Sequence, residues 1–179
     1  AGIMGAGIAQ VAAQAGYSVA LRDIEDRFVE GGLSTIDTLL ARNVSKGKLE
    51  PAEAEAIRGR ITGTTDLKSA AGEADLVIEA IVEVMDIKKR VFEELDATCP
   101  PAAILASNTS GLSITELASV TARPEKVLGM HFFNPVPVMQ LVELIRGFAT
   151  GNPAFVAARN FVEKIGKVPI EVAEAPGFA

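Results

Sequence analysis

Ala1-Gly2-Ile3-Met4-Gly5-Ala6-Gly7-Ile8-Ala9-Gln10 opens the chain, Ser18-Val19-Ala20-Leu21-Arg22-Asp23 follows it, and the order of these two stretches decides the fold. Ala1 to Gly5 supplies the last five positions of a G-x-G-x-x-G turn. The first glycine and its preceding strand are missing, so the chain is expected to be clipped at its start. Gly2 is the glycine that lets backbone approach a pyrophosphate, and Gly5 the one expected to let the next helix, Ala6 to Ala15, pack closely on a sheet. The free N–H groups at that helix's N-terminus face the phosphates. The short apolar strand then ends at Asp23, and a carboxylate about 20 residues beyond the glycines is where a dinucleotide fold binds the ribose 2′-hydroxyl. Such a carboxylate repels a 2′-phosphate, which favours NAD over NADP; Arg22 beside it tempers that preference.

With 179 residues, 49% of them hydrophobic and 22% charged, the chain fits one globular domain with one core. A net charge of −6 and a pI near 4.9 argue against a nucleic-acid binder, which carries a basic face. No run approaches the ~18 apolar residues of a membrane span. Cys99 is the only cysteine, which excludes an intrachain disulfide and a cysteine-based metal site, and no metal is expected. An intracellular setting is expected: cytoplasmic, or the mitochondrial matrix in a eukaryote.

Helical spacing from about Arg27 to Lys48 puts Phe28, Leu33, Ile36, Leu39, Leu40 and Val44 near one face. Pro51 opens a shorter helix, Ile61 to Thr65 reads as a strand, and Asp66 as a cap or turn. Asp75 to Glu83 is a near-continuous apolar run, the pattern of a strand covered on both faces. A charged helix follows, about Met85 to Thr98, and Pro100-Pro101 stops it. Ala103 to Ser107 is a buried strand leading into the polar turn Asn108-Thr109-Ser110-Gly111, after which Ser113 and Glu116 have capping-box spacing. Val127 to Phe133 and Leu141 to Ile145 read as strands around a rigid turn at Asn134 to Pro137. Pro153 starts the last helix, to about Ile165, and Val168 to Val172 is the final strand. Alternating strands and helices predict an α/β fold, a Rossmann-type doubly wound, mostly parallel sheet with helices on both faces. Residues 1–173 form this domain, and 174–179 read as the start of a linker.

His131, the only histidine, ends an apolar strand, where functional residues collect in open α/β sheets. Histidine titrates near neutrality, so it is the natural group to take a proton from an alcohol. Glu143 lies on the next strand, and a chain that goes out and back at ~3.3 Å per residue lets the two side chains meet. A carboxylate there fixes the imidazole tautomer and stabilises its protonated form; the bland alternative is a satisfied core histidine. Ser107, Asn108, Thr109 and Ser110 could hold a substrate oxygen or a nicotinamide amide, or be only a turn. Glu79, Glu83 and Lys88 bracket another strand-to-helix junction, where a ribose or pyrophosphate could lie. Arg42, Lys46 and Lys48 could bind a phosphate or form a solvated helix end.

With these segments in place, the chain resembles the NAD-binding domain of the L-3-hydroxyacyl-CoA dehydrogenases, a family that includes 3-hydroxybutyryl-CoA dehydrogenases. The resemblance rests on residues 1–10, Val77 to Glu83, Ala106 to Ser110, His131 to Met139 and Ala175-Pro176-Gly177-Phe178. It implies oxidation of a 3-hydroxyacyl-CoA by NAD to the 3-ketoacyl-CoA, or the reverse, in fatty-acid or butanoate metabolism. His131 would be the general base, Glu143 its partner and Ser110 a hydrogen-bond donor to the substrate oxygen. Gly2, Ile3, Met4, Gly5 and Asp23 would bind the nucleotide, with Glu83, Lys88, Ser110 and Asn134 along the cofactor. Lys46 and Ser110 match family contacts to the coenzyme A substrate, but Leu39 stands where some members have a serine that also contacts it. The family's helical C-terminal domain would follow Phe178, supplying an asparagine near the substrate, much of the acyl pocket and a homodimer interface. Without it this domain is expected to be nearly inactive. Fusion to a hydratase domain is compatible with either end. A β-hydroxyacid dehydrogenase acting on a free acid would rely on a lysine rather than a histidine–glutamate pair, and a non-catalytic crystallin-like NAD binder has no need of His131, Glu143 and Ser110 together.

Overall fold

In the computed structural model residues 1–175 are described. The first helix, α1 (Ile3–Gln14), is buried continuously from Ala6 to Ala13. A helix enclosed on all sides lacks an amphipathic stripe, and here small residues let neighbours approach it from every direction. Ala6, Ala9 and Ala13 face one cluster with Leu21, Ile36, Ile57 and Ile61. Ile8, Val11 and Ala12 face another with Leu128, Met130, Leu144 and Phe161. α1 therefore joins two sheets.

The smaller sheet pairs β1 (Val19–Arg22) with β2 (Ile61–Thr64) in parallel. Between them run α2 (Asp26–Ser45) and α3 (Pro51–Gly59). The larger sheet holds β3 (Leu76–Glu79), β4 (Ile104–Ser107), β5 (Val127–Phe132), β6 (Leu141–Arg146) and β7 (Val168–Ala173) in that order. All its neighbours pair in parallel except β5 and β6, which form an antiparallel hairpin. The remaining helices are α4 (Leu67–Ala71), α5 (Met85–Thr98), α6 (Ile114–Ala118) and α7 (Asn152–Lys164). Strand period 2 sorts the core between the two faces: Ala106, Leu128 and Leu144 pack with α1 and α7, whereas Leu105, Val127 and Ile145 pack with α5 and α6. This is the expected doubly wound, mostly parallel α/β sheet with helices on both faces. Among the described residues no helix is long and apolar enough to cross a membrane.

Several expectations are corrected. The buried stripe of α2 is Val29, Gly32, Ile36 and Leu40; Phe28 is exposed under the Arg27 guanidinium. β3 stops at Glu79 rather than Glu83, and Ile81, Val82 and Val84 are exposed, because an apolar run by itself does not say where the chain leaves the sheet. Ser113 caps α6 by accepting from the Glu116 N–H, but the Glu116 carboxylate pairs with Lys89, so the capping box is half formed. Gly5 is not the close-packing glycine: a Cβ there would meet only Leu21 Cδ1, at 3.9 Å, whereas one on Gly7 would lie 2.9 Å from Val136 Cβ. The expected linker begins with an anchored residue, since the Glu174 carboxylate accepts from Ser113 Oγ at 2.6 Å and the Thr115 N–H at 2.9 Å. Pro176, Gly177 and Phe178 of the expected motif lie outside the described residues.

Candidate active site

The C-terminal ends of β3, β4 and β5 gather the polar side chains on the sheet face shared with α5 and α6. Glu79 is registered with Ser107, and Ser107 with Gly129. One step further, His131 stands directly opposite Glu143 across the hairpin. The direct antiparallel register makes the side chains meet: His131 Nδ1 and Glu143 Oε2 are 2.7 Å apart. Glu143 is buried and the histidine side chain 15% exposed, so the carboxylate lies beneath a ring that reaches the surface. The Phe133 ring packs against the imidazole at 4.6 Å between centroids. The carboxylate holds the imidazole through Nδ1.

The polar turn after β4 is tied to this pair. Asn108 Oδ1 accepts from the Phe132 N–H at 2.8 Å while the Asn108 N–H donates to the Glu79 carbonyl at 2.7 Å. The side chain thus extends the pairing of β4 with β5 by one step as the backbone turns away. Ser110 is exposed, and its N–H donates to Glu83 Oε1 at 2.7 Å. Thr109 Oγ1 donates to the same oxygen at 2.5 Å. Burial raises the Glu83 pKa, but these bonds and the nearby Lys88 ammonium outweigh it and hold the carboxyl below its usual range.

Lys88, which the resemblance places along the cofactor, is 1% exposed. Its ammonium donates to Glu79 Oε1 at 2.7 Å and to the Ile81 carbonyl at 3.4 Å, with Glu83 Oε2 also 3.4 Å away. Three donors face three acceptors. Lys88 reaches the surface only through Glu83. Lys46 is exposed at the C-cap of α2, and among the described residues no hydrogen bond joins it to either cluster. Asn134 is exposed in the β5–β6 loop, beside the cis Asn134–Pro135 bond.

The nucleotide end fits a dinucleotide. A Cβ on Gly2 would meet nothing within 4 Å, leaving backbone open to a ligand, and no acidic side chain occupies the first turn of α1. The opening N–H groups of that helix have no intrahelical acceptor. Ile3 is exposed and Met4 partly so. Asp23, at the end of β1, accepts from the Ile24 N–H at 2.7 Å. Arg22 turns toward β2 and donates from Nε to the Thr65 carbonyl at 3.2 Å.

Two features escaped the sequence reading. Lys167 is buried and donates to the Val136 and Met139 carbonyls, at 2.5 and 2.6 Å, pinning the β5–β6 loop; no local pattern marks a lysine whose partners lie 28 to 31 residues away. The second is the Glu174 anchor on α6, which sequence separation likewise conceals.

Residues 1–175 match the family described as 3-hydroxyacyl-CoA dehydrogenase, NAD binding domain. A probable 3-hydroxybutyryl-CoA dehydrogenase of Bacillus subtilis is 49% identical over 178 residues, covering 99% of this chain and 62% of that protein. The fatty acid oxidation complex subunit alpha of Pseudomonas aeruginosa is 44% identical over 179 residues, 99% of this chain but 25% of the subunit. The crystal structure of M. tuberculosis FadB2 superposes with a TM-score of 0.96 at 41% identity, over 100% of this chain and 63% of that one. The chain thus spans less than two thirds of the length of the dehydrogenases it matches. Fold, glycine turn and the match along nearly its whole length lead to one assignment: the chain belongs to the family of 3-hydroxyacyl-CoA dehydrogenase NAD-binding domains.

Proposed function

We propose that the protein containing this chain oxidises the 3-hydroxyl of an L-3-hydroxyacyl-CoA to a ketone, or runs the reverse reduction, with 3-hydroxybutyryl-CoA as a representative substrate. The observation that carries the reading is the hydrogen-bonded His131–Glu143 pair at the carboxyl end of β5. His131 Nε2 takes the hydroxyl proton while Glu143 holds Nδ1 and faces the positive charge developing on the ring. NAD would supply the acceptor for the hydride that leaves C3. Ser110 donates to the substrate oxygen, and the turn that carries it is held by Glu83 and Asn108. Gly2 and the start of α1 hold the pyrophosphate, Asp23 the adenosine ribose, and Glu83 and Asn134 the nicotinamide half. Lys46 meets the coenzyme A phosphates. We assign the rest of the acyl pocket and a homodimer contact to a helical C-terminal domain of the parent protein, and a cytoplasmic or matrix setting to the whole.

The test is NADH oxidation on adding acetoacetyl-CoA to the full-length protein. His131→Gln should leave NADH affinity within about twofold and lower kcat by at least about 10²-fold, the lower end of what a general acid–base group contributes. An unchanged rate in that variant removes His131 from the chemistry. Absence of turnover by the wild type, with NADH still bound, defeats the substrate assignment.

A further inference from the structure

Glu79 has no part in the proton transfer, yet it is a buried carboxylate at the site whose oxygens are both occupied. Oε1 accepts from the Ile81 N–H at 2.6 Å and from Lys88, and Oε2 accepts from Ser107 Oγ at 2.7 Å. Lys88 is the only ammonium among these groups, and it stands between two carboxylates of different character. The Glu79 side chain is 2% exposed and that of Glu83 is 44% exposed. From Glu83 the connection continues to Thr109 Oγ1 and the Ser110 N–H. One unbroken series therefore runs from Ser107 through Glu79, Lys88 and Glu83 to the turn bearing Ser110, and it crosses from β3 to β4 where both leave the sheet.

The core does not require charge at this place. Phe92, Leu95 and Leu105, on the same side of the sheet, pack as apolar residues, and a buried ion pair is generally matched or exceeded in stability by apolar side chains of similar volume. What apolar residues could not supply is a fixed positive charge behind Glu83. With Glu79 and Lys88 neutralising one another, the trio leaves a single net negative charge, and it resides on the solvent-facing member. That charge is exposed beside the turn that carries Ser110.

We propose that Glu79 is a positioning residue for cofactor binding and catalysis: it anchors the Lys88 ammonium, which holds Glu83 and thereby the orientation of the Thr109–Ser110 turn toward the nicotinamide half of the dinucleotide. The inference rests on the NAD-dependent reading above, but it assigns Glu79 and Lys88 to support and only Glu83 to contact. Lowering of the Glu83 pKa by the same partners agrees with a carboxylate kept charged for that purpose.

The experiment uses the full-length protein and three variants: Glu79→Gln, the double substitution Glu79→Gln/Lys88→Met, and Ser107→Ala. NADH affinity is read by fluorescence titration, folding by the thermal midpoint, and kcat and KM with acetoacetyl-CoA. Glu79→Gln leaves Lys88 without its principal counter-charge and should lower the midpoint and weaken NADH binding at least about fivefold. The double substitution removes both buried charges, so the midpoint should recover while NADH affinity and kcat stay at least about fivefold below wild type. Recovery of affinity and kcat together with stability would show a purely structural pair and overturn the proposal. Should the first two variants fail to fold, Ser107→Ala, which deletes one hydrogen bond to Glu79, decides: a Kd for NADH raised at least about twofold supports it, and an unchanged Kd and kcat overturn it. If the wild type binds NADH but does not turn over acetoacetyl-CoA, the substrate reading fails while the NADH titrations still test the series. A wild type that binds no NADH overturns both.

Discussion

Gly5 and Gly7 lie two positions apart in one helix, yet an added methyl group has opposite consequences at each. At Gly5 the new Cβ finds ordinary contact with Leu21, and alanine is favoured over glycine in a helix by about 1 kcal/mol. Gly5→Ala should therefore melt at or above the wild-type temperature. At Gly7 the Cβ would press on Val136 Cβ at 2.9 Å, close to the backbone of a loop already pinned by Lys167. Overpacking of this kind costs about 1–3 kcal/mol, which the gain in helix propensity offsets only in part. Gly7→Ala should lower the melting temperature by several degrees, and equal midpoints for the two variants would refute the packing account. The histidine–glutamate contact was legible at this scale, because residues flanking a turn on two adjacent strands have few ways to miss each other. Lys88 was legible as a residue near the site but not as a buried one: its partners Glu79 and Glu83 precede it on a strand end and a loop, and only folding turns all three toward the same space.

Elements were read well where their signals are local. Helix α5 spans Met85–Thr98, as its charged pattern and the following prolines indicate. Asp66 caps α4 by accepting from the Ser69 N–H at 2.7 Å. How α5 ends was not readable. Arg123 reaches back to Asp96 Oδ1 at 2.6 Å, to the Asp96 carbonyl at 2.7 Å and to the Pro100 carbonyl at 2.5 Å, satisfying acceptors at the helix terminus from 23 to 27 residues away. Arg123→Met keeps much of the aliphatic stem and removes the donors. It should destabilise the protein by about 2–3 kcal/mol, as expected for charge-assisted bonds to part-buried acceptors. Urea denaturation checks this: the midpoint should fall with an unchanged slope, and an unchanged midpoint would make the arginine a surface ornament. At the hairpin, Glu143→Gln preserves shape and burial but not the carboxylate. It should reduce kcat by at least about tenfold with little change in NADH affinity, a result to be set beside that of His131→Gln.

For the molecule as a whole, several carboxylates are more acidic in the folded state than in the unfolded one. Burial alone would raise the Glu174 pKa, but its bonds from Ser113 and Thr115 hold it below the ordinary 4.5. Glu83 is lowered by Thr109, Ser110 and Lys88 in the same way. A carboxyl depressed on folding contributes stability that is complete above its unfolded pKa and lost as pH falls through its folded value. The thermal midpoint should hence be level from about pH 5 to neutrality and decline progressively below pH 5. Glu174→Gln should melt lower at neutral pH and show a shallower acid decline; a parallel decline would remove Glu174 from the linkage.

The alternation of strands and helices, the dinucleotide turn, the acid at the end of β1 and the strand-end histidine are all written in the linear order of residues. Each depends on spacing within a short window or on a residue type that occurs once. Folding in three dimensions settled which glycine bears the close approach, where β3 leaves the sheet, and which charged groups are buried. It also paired Glu79 with Lys88, Glu174 with the start of α6, and Asn108 with β5. Those outcomes depend on the distance between chain segments in space, which sequence separation does not encode. A buried polar group takes whichever partner the packed chain brings within hydrogen-bond reach.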